Sequence, residues 1–135
     1  MALFGALDAA ASGMTVSRVW LDAISDNLAN VNTVVAPGRE PFRARMVQVA
    51  AVDRTDGAPG GARVAAIQDR PGEPNYLYDP SHPLAGPDGY VLGANVDMSV
   101  EMTNMLIASR SYQANLRMVE VATDTYRAGL QIGRR

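Results

Sequence analysis

DMSVEMTNMLIASRSYQANLRMVEVATDTYRAGLQIG, residues 97–133, decides the fold. The stretch holds no proline, and Met98, Met105, Tyr112, Val119 and Tyr126 recur at seven-residue spacing. Met102, Ser109, Leu116, Thr123 and Leu130 form an interleaved column at the same spacing. An apolar period near 3.5 residues, sustained over this length, is the pattern of helices lying side by side at a shallow angle. Asp97 supplies the short acceptor side chain that an N-cap needs. The expected helix is long, about 50 Å at 1.5 Å per residue.

Working outward, residues 1–31 repeat the pattern. Leu7, Met14, Leu21 and Leu28 make one column, and Ala10, Ser17, Ile24 and Val31 the other. Each helix also carries a further apolar stripe: Ala9, Val16 and Ala23 with Val19 and Trp20 on the first, and Ile107, Ala114, Val121 and Ala128 on the second. A helix apolar on two faces needs neighbours on two sides. Two covers remain open, the middle of the chain or other subunits. Subunit contacts repeated without closure build a helical filament.

The middle differs in kind, since all eight prolines fall between residues 32 and 96. PFRARMVQVAAV (41–52) and ARVAAIQD (62–69) read as strands separated by the turn-rich DRTDGAPGG. NYLYDPSHPLAGPDGYV (75–91) carries proline turns and a Pro-Asp-Gly turn. The fold class expected is mainly α with a small β insert: residues 1–33 as an N-terminal helix, 34–96 as a strand-rich segment, and 97–135 as a C-terminal helix, with the helices packed coiled-coil-like.

NLANVNT, residues 27–33, ends the first helix with three asparagines. Asn30 or Asn32 suits a helix terminus, because asparagine tolerates the left-handed conformation and bonds nearby backbone. Asn27 lies a turn earlier, beside the seam. With Gln113 and Asn115 it is expected to fix helix register through amide hydrogen bonds, at a cost in stability.

Composition narrows the chemistry. The chain has 135 residues, a net charge of −2 and no cysteine, which excludes disulfides and thiolate chemistry. Its basic residues are all arginine, and those of PFRARM are offset by nearby acids, so no nucleic-acid surface is expected. MALFGALDAAASGM lacks the basic start of a cleaved signal peptide and is interrupted by Asp8. No run approaches the roughly 20 apolar residues of a membrane span. His82 lies in DPSHP with Asp79 and Ser81, but prolines on both sides favour a rigid turn over a catalytic or metal-binding group. No cofactor is indicated, and no glycine-rich loop with a P-loop lysine exists, since the chain has no lysine.

SGMTVSRVWLDAISDNLANVNT (12–33) resembles the N-terminal signature of the bacterial flagellar axial proteins, those of rod and hook. DPSHPLAGPDGYVLGANVDMSVEMTNMLIASRSYQANLRMVEVATD (79–124) resembles the proximal-rod branch of that family, and PFRARMVQV also fits. Asp26 stands where the family often has asparagine, and Ala94 where it often has proline. The resemblance implies a non-enzymatic structural subunit of the proximal rod in the flagellar basal body. It also implies export by the flagellar type III apparatus without a cleaved signal, and passage to the periplasmic region. The implied partners are copies of itself and other rod proteins, with no nucleic acid and no insertion into the membrane. The terminal helices would form the inner tube, and the middle segment its outer part. Assembly is then expected to rest on Leu7, Met14, Leu21, Ile24, Asn27 and Leu28 of the first helix, and on Met102, Met105, Tyr112, Gln113, Asn115, Leu116, Val119 and Tyr126 of the second. Alternatives are another axial rod protein, or a soluble helical adaptor or export chaperone with one covered seam.

Overall fold

A computed structural model describes residues 2–52 and 60–133. Helix α1 spans Ala2–Ala29 and helix α2 spans Met98–Ile132. Between them lie β1 (Val34–Val35), β2 (Arg45–Ala51), β3 (Ala62–Asp69), β4 (Asn75–Tyr78) and β5 (Tyr90–Gly93). The helices run antiparallel. Phe4 packs edge-on against Tyr126, Gly13 faces Asn115, and Asn27 meets Glu101, so residues ascending in α1 meet residues descending in α2.

Both ends of the insert are set by local chemistry. Asp97 caps α2 as expected, its Oδ1 accepting the N–H groups of Ser99 at 2.8 Å and Val100 at 3.2 Å. The end of α1 corrects the expectation in its mechanism. Asn30 does terminate the helix, but no described non-glycine residue has a positive φ. Instead the Asn30 side-chain amide donates to the Asp26 carbonyl at 2.8 Å, and Thr33 Oγ1 donates to Asn30 Oδ1. That amide adds to the Asn30 backbone N–H, which also donates to the Asp26 carbonyl, and the Val31 and Thr33 N–H groups bond three residues back, so the helix closes without a left-handed residue.

The helix seam differs from the hydropathy columns on one side only. On α1, Ala10, Ser17 and Ile24 are buried, and Leu7, Met14, Leu21 and Leu28 half-buried beside them. On α2 the buried column is Glu101, Ala108 and Ala122, with half-buried Asn115 between them. The expected column Met102, Ser109, Leu116, Thr123, Leu130 lies one residue further round: Met102 is 58 % exposed, and Leu116 and Leu130 are exposed as well. The reason is distance. A Cβ built on Gly13 would lie 2.7 Å from Asn115 Nδ2, so the backbone of α1 is already in contact with α2 there. Such an approach selects small residues for the seam, and a column of Met and Leu would hold the helices apart. Met105, Tyr112 and Val119 flank the seam half-buried, whereas Tyr126 is exposed and packs edge-on against Phe4.

The insert divides into two antiparallel sheets, β2–β3 and β1–β5–β4. The β2–β3 hairpin shifts register between Gln48 and Val49, a bulge that twists the ribbon. The residues of DRTDGAPGG up to Pro59, expected as its turn, lie outside the described residues. The hairpin runs along α1 from Ser12, whose Oγ accepts the Ala62 N–H at 3.0 Å, to Asp26, whose carboxylate meets Arg45 at 2.6 Å. The fourteen helical steps from Ser12 to Asp26 cover about 21 Å, close to the roughly 26 Å length of an eight-residue strand. Gly61, at φ +79°, makes the close approach to the helix possible, because a Cβ there would strike Ser12 Oγ and the Ala9 backbone. At the foot of the helices Ala44, Ala94 and Val96 form a small core with Val31 and Phe42 packed against it.

The two stripes left open by the sequence therefore have different fates. The hairpin covers the α1 stripe, burying Val16 and Ala23. The α2 stripe stays open, with Ile107 and Ala114 exposed and Val121 63 % exposed.

Candidate functional site

Three features carry functional chemistry. The first is the open face of α2. Ile107, Ala114 and Val121 are joined there by exposed Met118 and flanked by exposed Leu106, and α2 makes no contact with the described strands of the insert. Apolar side chains exposed in a row along a helix are uncommon on a free surface and make this face a candidate contact surface. Of the residues expected to carry assembly, Met102, Leu116 and Tyr126 are exposed, as is Gln113. Ile24 and Asn27 are buried within the chain and act there on its own fold.

The second is a buried polar junction where α1, α2 and the foot of the hairpin converge. The Asn27 side chain is 1 % exposed and treats the backbone of Arg45 as a neighbouring strand would. Its Oδ1 accepts the Arg45 N–H at 2.7 Å, and its Nδ2 donates to the Arg45 carbonyl at 3.0 Å. The same Nδ2 donates to Glu101 Oε2 at 3.2 Å. The other oxygen, Glu101 Oε1, faces the Arg70 guanidinium at 3.5 Å. The Arg70 N–H donates to the Ala44 carbonyl at 2.6 Å, which ties the two strands together at their foot. The nearby Arg45–Asp26 pair is half-exposed at both ends and contributes at most about 1 kcal/mol.

Of the three amides expected to fix register, Asn27 makes buried hydrogen bonds, to a strand backbone and to a glutamate, whereas Gln113 is exposed. Neither Glu101 nor Arg70 was singled out by the sequence. A signal did exist: Glu101, Ala108, Asn115 and Ala122 share a seven-residue spacing, but their small or polar side chains carry no hydropathy.

The third is the turn around His82. Ser81 donates both its hydroxyl, at 2.6 Å, and its N–H to Asp79 Oδ1, and His82 Nδ1 accepts the Leu84 N–H at 3.1 Å. The Ser81 hydroxyl holds the Asp79 carboxyl below its ordinary pKa of 3.8. Serine and histidine are both spent on turn geometry, each bonding within two residues. The rigid turn expected from the flanking prolines is what forms.

Comparison with known proteins places these features. Residues 7–35 match the family described as flagella basal body rod protein, and residues 88–132 the C-terminal family of flagellar basal body rod FlgEFG proteins. The chain is 37 % identical over 134 residues to the flagellar basal-body rod protein FlgC of Salmonella typhimurium, covering 98 % of this chain and 99 % of the relative. The chain belongs to the FlgC family of flagellar rod proteins. FlgC of Yersinia enterocolitica is 35 % identical over 133 residues, and FlgC of Bacillus subtilis 31 % over 150, each again spanning nearly the whole of both chains. Within the FlgC family frame, the two matched segments are the two helices with their flanking strands β1 and β5. Asn27 lies in the first segment and Glu101 in the second, whereas Arg45 and Arg70 lie in the insert between them.

Proposed function

We propose that this chain is a structural subunit of the proximal rod, joined to its neighbours through the open face of α2. The observation that carries the reading is that face, long and apolar, in a chain whose near-full-length relatives are rod proteins. Neighbouring helices laid against it in coiled-coil fashion would bury the stripe that the insert leaves open. Contacts of this heterologous kind propagate into a helical tube. Residues 1–33 and 97–135 would then form the inner tube, with 34–96 on its outside. The subunit passes torque along the shaft and leaves a central channel for export. Its partners are copies of itself, other rod proteins and the flagellar export apparatus, which carries it to the periplasmic region without cleavage of a leader.

Mass spectrometry of salt-washed hook–basal bodies from the source bacterium tests this. A few copies of the chain per particle are expected. Absence from the particles, with intact chain in the cytosol, would refute it.

A further inference from the structure

Glu101 is 2 % exposed and is the one buried charged side chain among the described residues. A carboxylate at such a position is costly unless paired and hydrogen-bonded. Its partners come from two other elements, Asn27 of α1 and Arg70 just beyond β3. Asn27 in turn holds both polar groups of the Arg45 backbone, the first residue of β2. Every bond in this chain is directional, so all are satisfied together in only one placement of the hairpin on the helix pair. The apolar remainder of that interface includes Val16 and Ala23 of α1, and apolar burial, being non-directional, leaves sliding along the helix inexpensive.

We infer that Glu101, Asn27 and Arg70 are positioning residues: they set the register and angle of the insert on the helices, and incorporation into the rod needs that geometry more than it needs the stability of the bonds. Replacing a buried ion pair by apolar residues of similar size is commonly neutral or stabilising, while the placement it specified is lost. The inference rests on the rod reading for its assembly readout alone.

The test is the double substitution Glu101→Leu with Arg70→Met, as the only copy of the chain in a motile strain and as purified full chain. The expected result is a melting temperature within about 4 °C of the parent, an unchanged cellular level, and a swimming ring no larger than that of a strain lacking the chain. Glu101→Gln, which keeps a hydrogen-bonding group at the junction, should restore part of the ring. A parent-sized ring overturns the inference, as does a larger fall in melting temperature or loss of the chain in cells, which would make the pair a stability element only. If a strain lacking the chain swims normally, the rod reading is what fails. The inference is then decided in solution, by spin labels on exposed Arg63→Cys and Arg117→Cys in a chain with no cysteine of its own. The double substitution should broaden that distance distribution about twofold or more, and an unchanged width overturns the inference.

Discussion

Replacing Asn27 probes the junction most directly, and two substitutions there should rank in a definite order. Asn27→Leu removes three hydrogen bonds, two to the Arg45 backbone and one to Glu101. The stranded Arg45 groups are only part-buried, so each costs near the low end of the ~1–3 kcal/mol range for an unsatisfied group. Glu101 keeps Arg70 and loses about as much again, while the leucine returns roughly 1 kcal/mol through apolar burial. The net loss is about 2–3 kcal/mol, with helix content unchanged because leucine is the better helix former. Asn27→Asp keeps an acceptor for the Arg45 N–H, but it turns the donor facing Glu101 Oε2, 3.2 Å away, into a second carboxylate. Like charges at that separation cannot both remain ionised cheaply, so this loss should exceed that of leucine, at about 4 kcal/mol or more. Its pH dependence follows. The introduced carboxyl has a raised pKa in the folded chain, so the folded state binds its proton first. The deficit relative to the parent should therefore be full at pH 7 and shrink as pH falls toward about 4. Urea unfolding followed by circular dichroism reads the difference, as midpoint shifts of about 1–2 M. An aspartate variant no worse than the leucine variant at neutral pH, or one showing no relief in acid, would refute this account of the junction.

Other positions give simpler outcomes. Gly13→Leu forces a side chain into the contact with Asn115 and should cost about 1–3 kcal/mol in the same unfolding assay. Asp97→Ala removes the cap of α2 and should cost about 1 kcal/mol, with fraying at Ser99 and Val100 visible by amide hydrogen exchange. Ile107→Asp on the open face of α2 should leave stability within about 0.5 kcal/mol and yet abolish incorporation into hook–basal bodies, as judged by immunoblot. Ser81→Ala should return the Asp79 pKa toward 3.8 in an NMR titration, because the lost hydroxyl bond is the main cause of its depression. Since that pKa is lowered on folding, its small contribution is present above the ordinary carboxylate value and disappears as pH falls through the folded one.

Much of the molecule was legible in one dimension. The two long helices, the Asp97 cap, the strand over residues 62–69 and the family itself follow from period, cap chemistry and motif, all of which are local. The α1 columns coincide with the seam, because Leu7, Met14, Leu21 and Leu28 flank the buried Ala10, Ser17 and Ile24 at the same spacing. On α2 the same logic placed the seam one residue too far round. There the contact is made by Ala108, Asn115 and Ala122 against a helix that offers Gly13, and close approach favours residues that hydropathy passes over.

By itself, then, the sequence determined the order of helix, strand-bearing insert and helix, and membership in the rod family. Tertiary structure alone decided which apolar stripe is covered: α1 gives its second face to the β2–β3 hairpin, and α2 keeps its own open. It alone also brought Glu101 to Asn27, seventy-four residues away in the chain. Periodicity reports which way a side chain points on its own helix. Whether another element comes to lie there, and whether a buried charge finds its partners, depends on segments far along the chain.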